Sequence, residues 1–165
     1  MARDYDAITT EIEHAALAPD ADRQKRMVCL VDALWRHLAG AGVSWVGFYL
    51  ADESQPKDRR LILGPRRDTP ACSPIGVQGV CGRAYQTRTI QIIADVEALG
   101  DAYVACDPRD RSELVLPLLE PTDRARCWGV LDFDSHDTNS FNNNDARKIT
   151  RLLKAVGFVS ANVDE

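Results

Sequence analysis

The chain predicts an α+β domain: an antiparallel sheet of about six strands flanked by N- and C-terminal helices. Three observations carry this. Apolar residues at helical spacing occupy the first 40 positions, period-2 segments joined by polar turns fill the middle, and an amphipathic helix with a clear start closes the chain. At 165 residues there is enough chain for one domain with a full core. It divides into N-terminal helices over 1–40, the sheet and its loops over 43–136, and a C-terminal helix over 142–160.

The elements follow in order. Tyr5, Ile8, Ile12 and Ala15 give a first helix over Asp4–Leu17, and Pro19-Asp20 breaks it. Met27, Leu30, Val31, Leu34, Trp35 and Leu38 make a stripe on a second helix, Ala21–Ala39, with Cys29 on the opposite side as a surface or subunit-contact thiol. Gly40-Ala41-Gly42 ends that helix. SWVGFYLAD and LILGP then read as a hairpin, GVCGRAYQTR as a short helix over Val80–Gln86, and TIQIIADV as a strand. Glu97–Arg111 is a long connection without periodicity, of the kind that carries function or moves. SELVLPLLE and RCWGVLDFDS form a second hairpin, in which Pro117 predicts an edge or a bulge. Asn142 is an N-cap for the last helix, with Asp145 in its first turn, Phe141 as a staple, and Ile149, Leu152, Leu153 and Val156 inward.

Composition excludes several classes. A net charge of -5 speaks against nucleic acid and anionic membranes as partners. No apolar run approaches the roughly 18 residues of a membrane span, and the polar, acidic N-terminus does not read as a signal peptide. The five cysteines are odd in number and irregularly spaced, which argues for a reducing cytoplasm over a disulfide framework. There is no CxxC or HExxH, and the three histidines are scattered, so no metal site or bound cofactor is expected.

Chemistry concentrates in VACDPRDRSELVLP, residues 104–117. Cys106 sits in a polar loop where a thiol can be reached and ionised. Glu113 stands at the mouth of an apolar strand, where partial burial raises a carboxyl pKa. Asp132 and Asp134 share one strand face with Val130, and such a pair faces water, a cation or a hydrogen-bond network. Trp45 and Tyr49 flank Gly47 on another strand face, leaving a hollow between two rings; the competing reading is that Gly47 only relieves packing. If the strand faces register, the aromatics and acids line one pocket with Glu113 at its rim. Such a pocket suits a small ligand carrying an amine and a soft apolar group. Cys81, near a helix N-terminus, is either a dipole-favoured thiolate or a small core residue.

LILGP and the following AC, then GVCG, ACD, SELVLPL, GVLDFDS and the F-x-x-x-D of FNNND occur in this order. Together they resemble the GAF-domain free methionine-(R)-sulfoxide reductases from about Ser44 onward. The resemblance implies a single GAF domain over 1–165 that reduces the free amino acid, with no bound cofactor. It implies Cys106 as the sulfoxide-attacking cysteine, Cys72 as its resolving partner on a flexible loop, and Cys81 as an auxiliary thiol. Glu113, Asp132 and Asp134 correspond to the pocket carboxylates, with Glu113 as candidate acid, and Trp45 and Tyr49 to the aromatic wall. Thioredoxin or a similar dithiol is the implied electron donor, NADPH its indirect source, and a homodimer is possible through the Cys29 face. PRRDTPAC, Tyr103-Val104 and DFDS depart from the family pattern. A non-catalytic ligand sensor and a thiol redox sensor are the alternatives.

Overall fold

The computed structural model describes residues 3–15, 21–67, 70–103 and 106–161. The expected helix break at Pro19-Asp20, the Asp68-Thr69 part of the segment before Cys72, and Val104 ahead of Cys106 lie outside them. Helix α1 spans Tyr5–Ala15 and α2 Arg23–Leu38, the latter capped by the Asp22 side chain accepting from the Lys25 amide. Strands β1 (Trp45–Ala51) and β2 (Leu61–Arg67) form the first hairpin. Helix α3 (Gly79–Thr87) leads to a three-residue strand β3 (Gln91–Ile93), then β4 (Ser112–Leu119) and β5 (Cys127–Ser135). Helix α4 (Asn143–Ala155) and a two-residue strand β6 (Val159–Ser160) follow.

The sheet runs β2-β1-β5-β4-β3, with β6 also on β4, and every pairing is antiparallel. Because side chains alternate along each strand, the two faces receive different residues. Val46 and Phe48 of β1, Leu114, Leu116 and Leu118 of β4, and Leu131 and Phe133 of β5 point to one face. There they are sealed by the stripes of α1, α2 and α4. The other face carries Trp45, Tyr49, Val115 and Val130 beneath α3.

Four local expectations change. The Glu97–Arg111 connection is not wholly irregular: Val96–Ala102 forms 3₁₀ turns, started by the Asp95 side chain accepting from the Glu97 amide. The terminal helix stops at Ala155, short of 160, because Gly157 turns the chain at φ 75°. The released residues return to the sheet as β6, where Ser160 Oγ donates to the Pro117 carbonyl at 2.7 Å. Pro117 thus lies inside a central strand, at the point where the outer edge of β4 passes from β3 to β6. There its missing N–H costs no ladder bond. Cys29 is half-buried against the helical core.

The start of α4 follows the sequence closely. Asn142 accepts from the Asn144 and Asp145 amides while Asp145 Oδ2 accepts from the Asn142 amide, a reciprocal capping box. Asp145 also accepts from Tyr5 Oη at 2.7 Å and pairs with Arg3 at 3.2 Å, tying the first helix to the last.

Candidate active site

Strand register builds the site. Trp45 of β1 stands opposite Asp134 of β5, which stands opposite Glu113 of β4. One step along, Gly47, Asp132 and Val115 form a second row, and Tyr49, Val130 and Pro117 a third. Directly opposed residues lie about 5 Å apart at Cβ, so the aromatics and acids of three strands share one patch. The Pro70–Cys81 segment covers it from one side, and Tyr103 with the Cys106–Asp110 segment from the other. Between them is a cavity of about 330 Å³, the scale of a small-molecule site. All eight residues singled out from the sequence line it: Trp45, Tyr49, the thiol positions 72, 81 and 106, and the acids 113, 132 and 134.

Gly47 does not leave a hollow between two rings. A Cβ there would lie 2.4 Å from the Trp45 indole, so the indole itself occupies that space. It leans toward Tyr49, ring centroids 5.9 Å apart. The glycine lets the tryptophan lie flat along the strand and present one side of its ring to the cavity. Tyr49 Oη donates to the Cys72 carbonyl at 2.9 Å. Ser73 Oγ accepts from the Leu63 amide, and Ile75 bridges to Leu61. In this disulfide-bonded form the segment from Cys72 onward is fastened to β1 and β2.

Cys72 and Cys106 are joined in a disulfide with Cα atoms 5.4 Å apart, inside the ordinary range for such a bond. Cys81 is a free, buried thiol. It lies in the first turn of α3, where the dipole alone would favour a thiolate. Burial and the carboxylates of Asp132 and Glu113 outweigh the dipole and push its pKa well up. The neutral thiol donates to Asp132 Oδ2 at 3.2 Å. Cys81 belongs to the floor, and the thiolate reading of its helix position does not survive.

The carboxyl groups are deeper than the sequence implies. Glu113 is 6% exposed and Asp132 5%, so Glu113 is on the floor of the cavity, away from its rim. β3 covers one side of Glu113 and β5 the other, and that coverage comes from residues remote in sequence. Burial first, then the neighbouring Asp132 and Asp110, raises Glu113 well above the ordinary range of a carboxyl. Asp134 is raised in the same way, while Asp132 is pushed up to about 7, mainly by burial. Glu113 Oε2, Asp132 Oδ1 and Trp45 Nε1 are buried without a hydrogen-bond partner among the described residues. Orphaned acceptors and donors on a cavity wall are groups waiting for a ligand.

Asp110 and Tyr103 are among the cavity-wall residues that sequence reasoning does not single out. Asp110 is 5% exposed, accepts from Ser44 Oγ at 3.2 Å, and is pushed up to about 6 by burial and by Asp107. Tyr103 closes the same side. Both come from the connection that lacks periodicity, where spacing says nothing about direction; the acid density of DPRDR was the available signal. Asp107 is held well below the carboxylate range by Arg109, whose guanidinium and amide both donate to it. That clasp sets the turn just after Cys106. Among the described residues, two groups place metal-ligand atoms within 4.8 Å of one another: Cys81 with Glu113 and Asp132, and Asp107 with Asp110 and His136.

An antiparallel sheet with three helices on one face and a ligand-sized acidic cavity on the other is the architecture of a small-ligand domain of the GAF class. The GAF domain model matches residues 28–158. The chain is 35% identical to Bacillus subtilis protein YtsP over 93% of its own length and 89% of that protein. It is 37% identical to the Escherichia coli free methionine-R-sulfoxide reductase, over 74% of this chain and 69% of that one. It superposes with a TM-score of 0.80 on the free methionine-R-sulfoxide reductase of Neisseria meningitidis solved in complex with its substrate. That match is at 31% identity and covers 94% of this chain and 90% of the other. The chain belongs to the GAF-domain family of free methionine-R-sulfoxide reductases.

Proposed function

We propose that the chain reduces free L-methionine-(R)-sulfoxide to methionine, with Cys106 as attacking thiolate, Glu113 as proton donor and Cys72 as resolving thiol. The observation that carries this reading is a pair of cysteines joined at a cavity whose floor holds buried carboxyl groups raised above their ordinary pKa by that burial. The epimer and the reaction class come from the relatives named above.

The steps balance. The Cys106 thiolate attacks the sulfoxide sulfur while Glu113 gives a proton to the oxygen, which otherwise leaves poorly. The sulfoxide is reduced to methionine, and its oxygen ends on Cys106 as a sulfenic acid. The Cys72 thiol then condenses with the sulfenic acid, releasing water and forming the disulfide. A dithiol such as thioredoxin takes that disulfide back to two thiols, with NADPH as the indirect electron source. Such a reductant places the enzyme in the cytoplasm. No helix among the described residues is long and apolar enough to cross a membrane.

Binding follows from the same wall. The substrate ammonium lies against Asp132 and Asp134, where the acids need a cation, and the methyl end lies against the Trp45 and Tyr49 rings. Cys81 is assigned no redox step, because its thiol is held by Asp132 and pushed toward its neutral form. Pairing of two copies through the Cys29 side of α2 is part of this reading and is measured by sedimentation. The central test is a coupled assay with free methionine sulfoxide, thioredoxin, thioredoxin reductase and NADPH. NADPH oxidation with the R epimer and none with the S epimer is expected. Tight binding of the sulfoxide without NADPH oxidation would make the chain a ligand sensor instead.

A further inference from the structure

We propose that the floor of the cavity is a binding site for a thiophilic divalent cation of the zinc type, held by Cys81, Glu113 and Asp132. The three residues come from α3, β4 and β5, so packed elements fix their relative positions. Each offers a ligand atom within 4.8 Å of the other two, and Cys81 Sγ is already 3.2 Å from Asp132 Oδ2. Tetrahedral zinc, with bonds of about 2.3 Å to sulfur and about 2.1 Å to oxygen, needs ligand atoms roughly 3.5 Å apart. The separations of up to 4.8 Å exceed that spacing by little more than 1 Å.

An independent observation points to an occupant. Glu113 and Asp132 are each more than nine-tenths buried, yet Glu113 Oε2 and Asp132 Oδ1 have no partner among the described residues. Two buried acceptors without a donor, beside a thiol, form an incomplete polar group that a cation completes. The cavity above gives an entry path and room for water in the fourth position. Binding displaces to solvent the thiol proton of Cys81 and the protons carried by the Glu113 and Asp132 carboxyl groups, leaving a thiolate and two carboxylates on a dipositive ion; no electrons move. A thiolate with two carboxylates selects zinc-like ions over magnesium and calcium, which prefer oxygen throughout. The site lies beyond the proposed reaction, but on that reading the ion takes the place of the substrate ammonium and blocks turnover.

The test uses the full chain carrying Cys72→Ser and Cys106→Ser, which removes the other two cavity thiols. Zinc chloride alone is titrated by calorimetry, and cobalt(II) is followed by absorption. One ion per chain is expected, with a near-ultraviolet thiolate-to-cobalt band and no displacement by excess magnesium. Adding Cys81→Ser should weaken zinc by about a hundredfold and remove the band. The cobalt band is read on the double variant itself, so the outcome does not hang on the third substitution folding. Absence of saturable binding or of the band would overturn the proposal. So would zinc affinity that survives Cys81→Ser, which would put the ion at Asp107, Asp110 and His136. The double variant lacks the proposed nucleophile, so failure here leaves the reductase assay to be decided separately.

Discussion

The two faces of the central sheet are built from alternate residues of the same three strands, yet they obey opposite rules. On the helical face, Phe48, Leu114, Leu116, Leu131 and Phe133 are fully buried among other apolar side chains. On the cavity face, the intervening positions hold Trp45, Glu113, Asp132 and Asp134, the first three of them also buried. One face lowers free energy by removing apolar area from water. The other raises it by burying carboxyl groups that repel one another, and it is tolerated because the first face is large. A one-residue slip of β5 would exchange them, sending acids into the helical core. Strand register is thus the device that keeps stability and chemistry apart.

The largest effect should come from the cavity side. Cys106→Ser is expected to lower turnover with the free sulfoxide by about three orders of magnitude or more, with the thermal transition of the reduced protein unchanged. The check is the coupled assay beside a melting curve; a variant with normal rate would remove Cys106 from the proposed role. Cys72→Ser separates the two thiols further. It should release one methionine per chain and then stop, and sustained thioredoxin-driven turnover would reject Cys72 as resolving thiol.

The helical face should answer in the opposite way. Phe133→Ala leaves a hole between β5 and the Phe141 ring, whose centroids are 6.2 Å apart. It should cost about 3–5 kcal/mol in denaturant unfolding, while KM measured on the folded protein stays near that of the parent. A changed KM with unchanged stability would mean that the two faces are not separable. Asp145→Ala probes the junction of α1 and α4. It removes the capping box, the Arg3 pair and the acceptor for Tyr5. We expect a loss of about 2–3 kcal/mol with normal turnover per folded chain, although Asp145 is among the motif residues that carry the family resemblance.

That contrast explains what was legible in the sequence. The stripes of Met27 to Leu38 and of Ile149 to Val156, the alternation of β1 and β5, and the Asn142 cap are local signals, and they appear as expected. Which residues share the acid patch was legible too, because period-2 alternation survives folding. Depth was not. Glu113 reads as a rim residue until β3, contributed by Gln91–Ile93, covers it. Cys81 reads as either a helix-dipole thiolate or a small core residue until Asp132, 51 positions away, accepts the hydrogen bond of its neutral thiol. Strand β6 has two residues and no pattern, and it exists because Ser160 finds the Pro117 carbonyl. Asp110 and Tyr103 lie in a connection whose course is set by its contacts.

The finest test of the comparison is the pH dependence of Asp132. Burial raises its carboxyl from an ordinary 3.8 to about 7, with Asp110 adding to the rise and the Cys81 hydrogen bond opposing it. Between about pH 4 and 7 the folded chain therefore keeps a proton that the unfolded chain has released. The folded state binds more protons in that window, so the contribution of Asp132 to stability falls as pH rises through it and levels off above the folded value. Asp110, raised to about 6, contributes in the same direction over the lower part of the range. Asp132→Asn removes the larger contribution while keeping the shape and an acceptor for the Cys81 thiol. Melting curves of reduced parent and variant should coincide near pH 4 and separate by pH 8. There the variant should be the more stable, by about 4 kcal/mol at about 1.4 kcal/mol per unit of the rise, although it binds the sulfoxide more weakly. An equal difference at both ends of the pH series would show that Asp132 is not the group that makes the cavity face costly, and would shift that cost to Glu113 and Asp134.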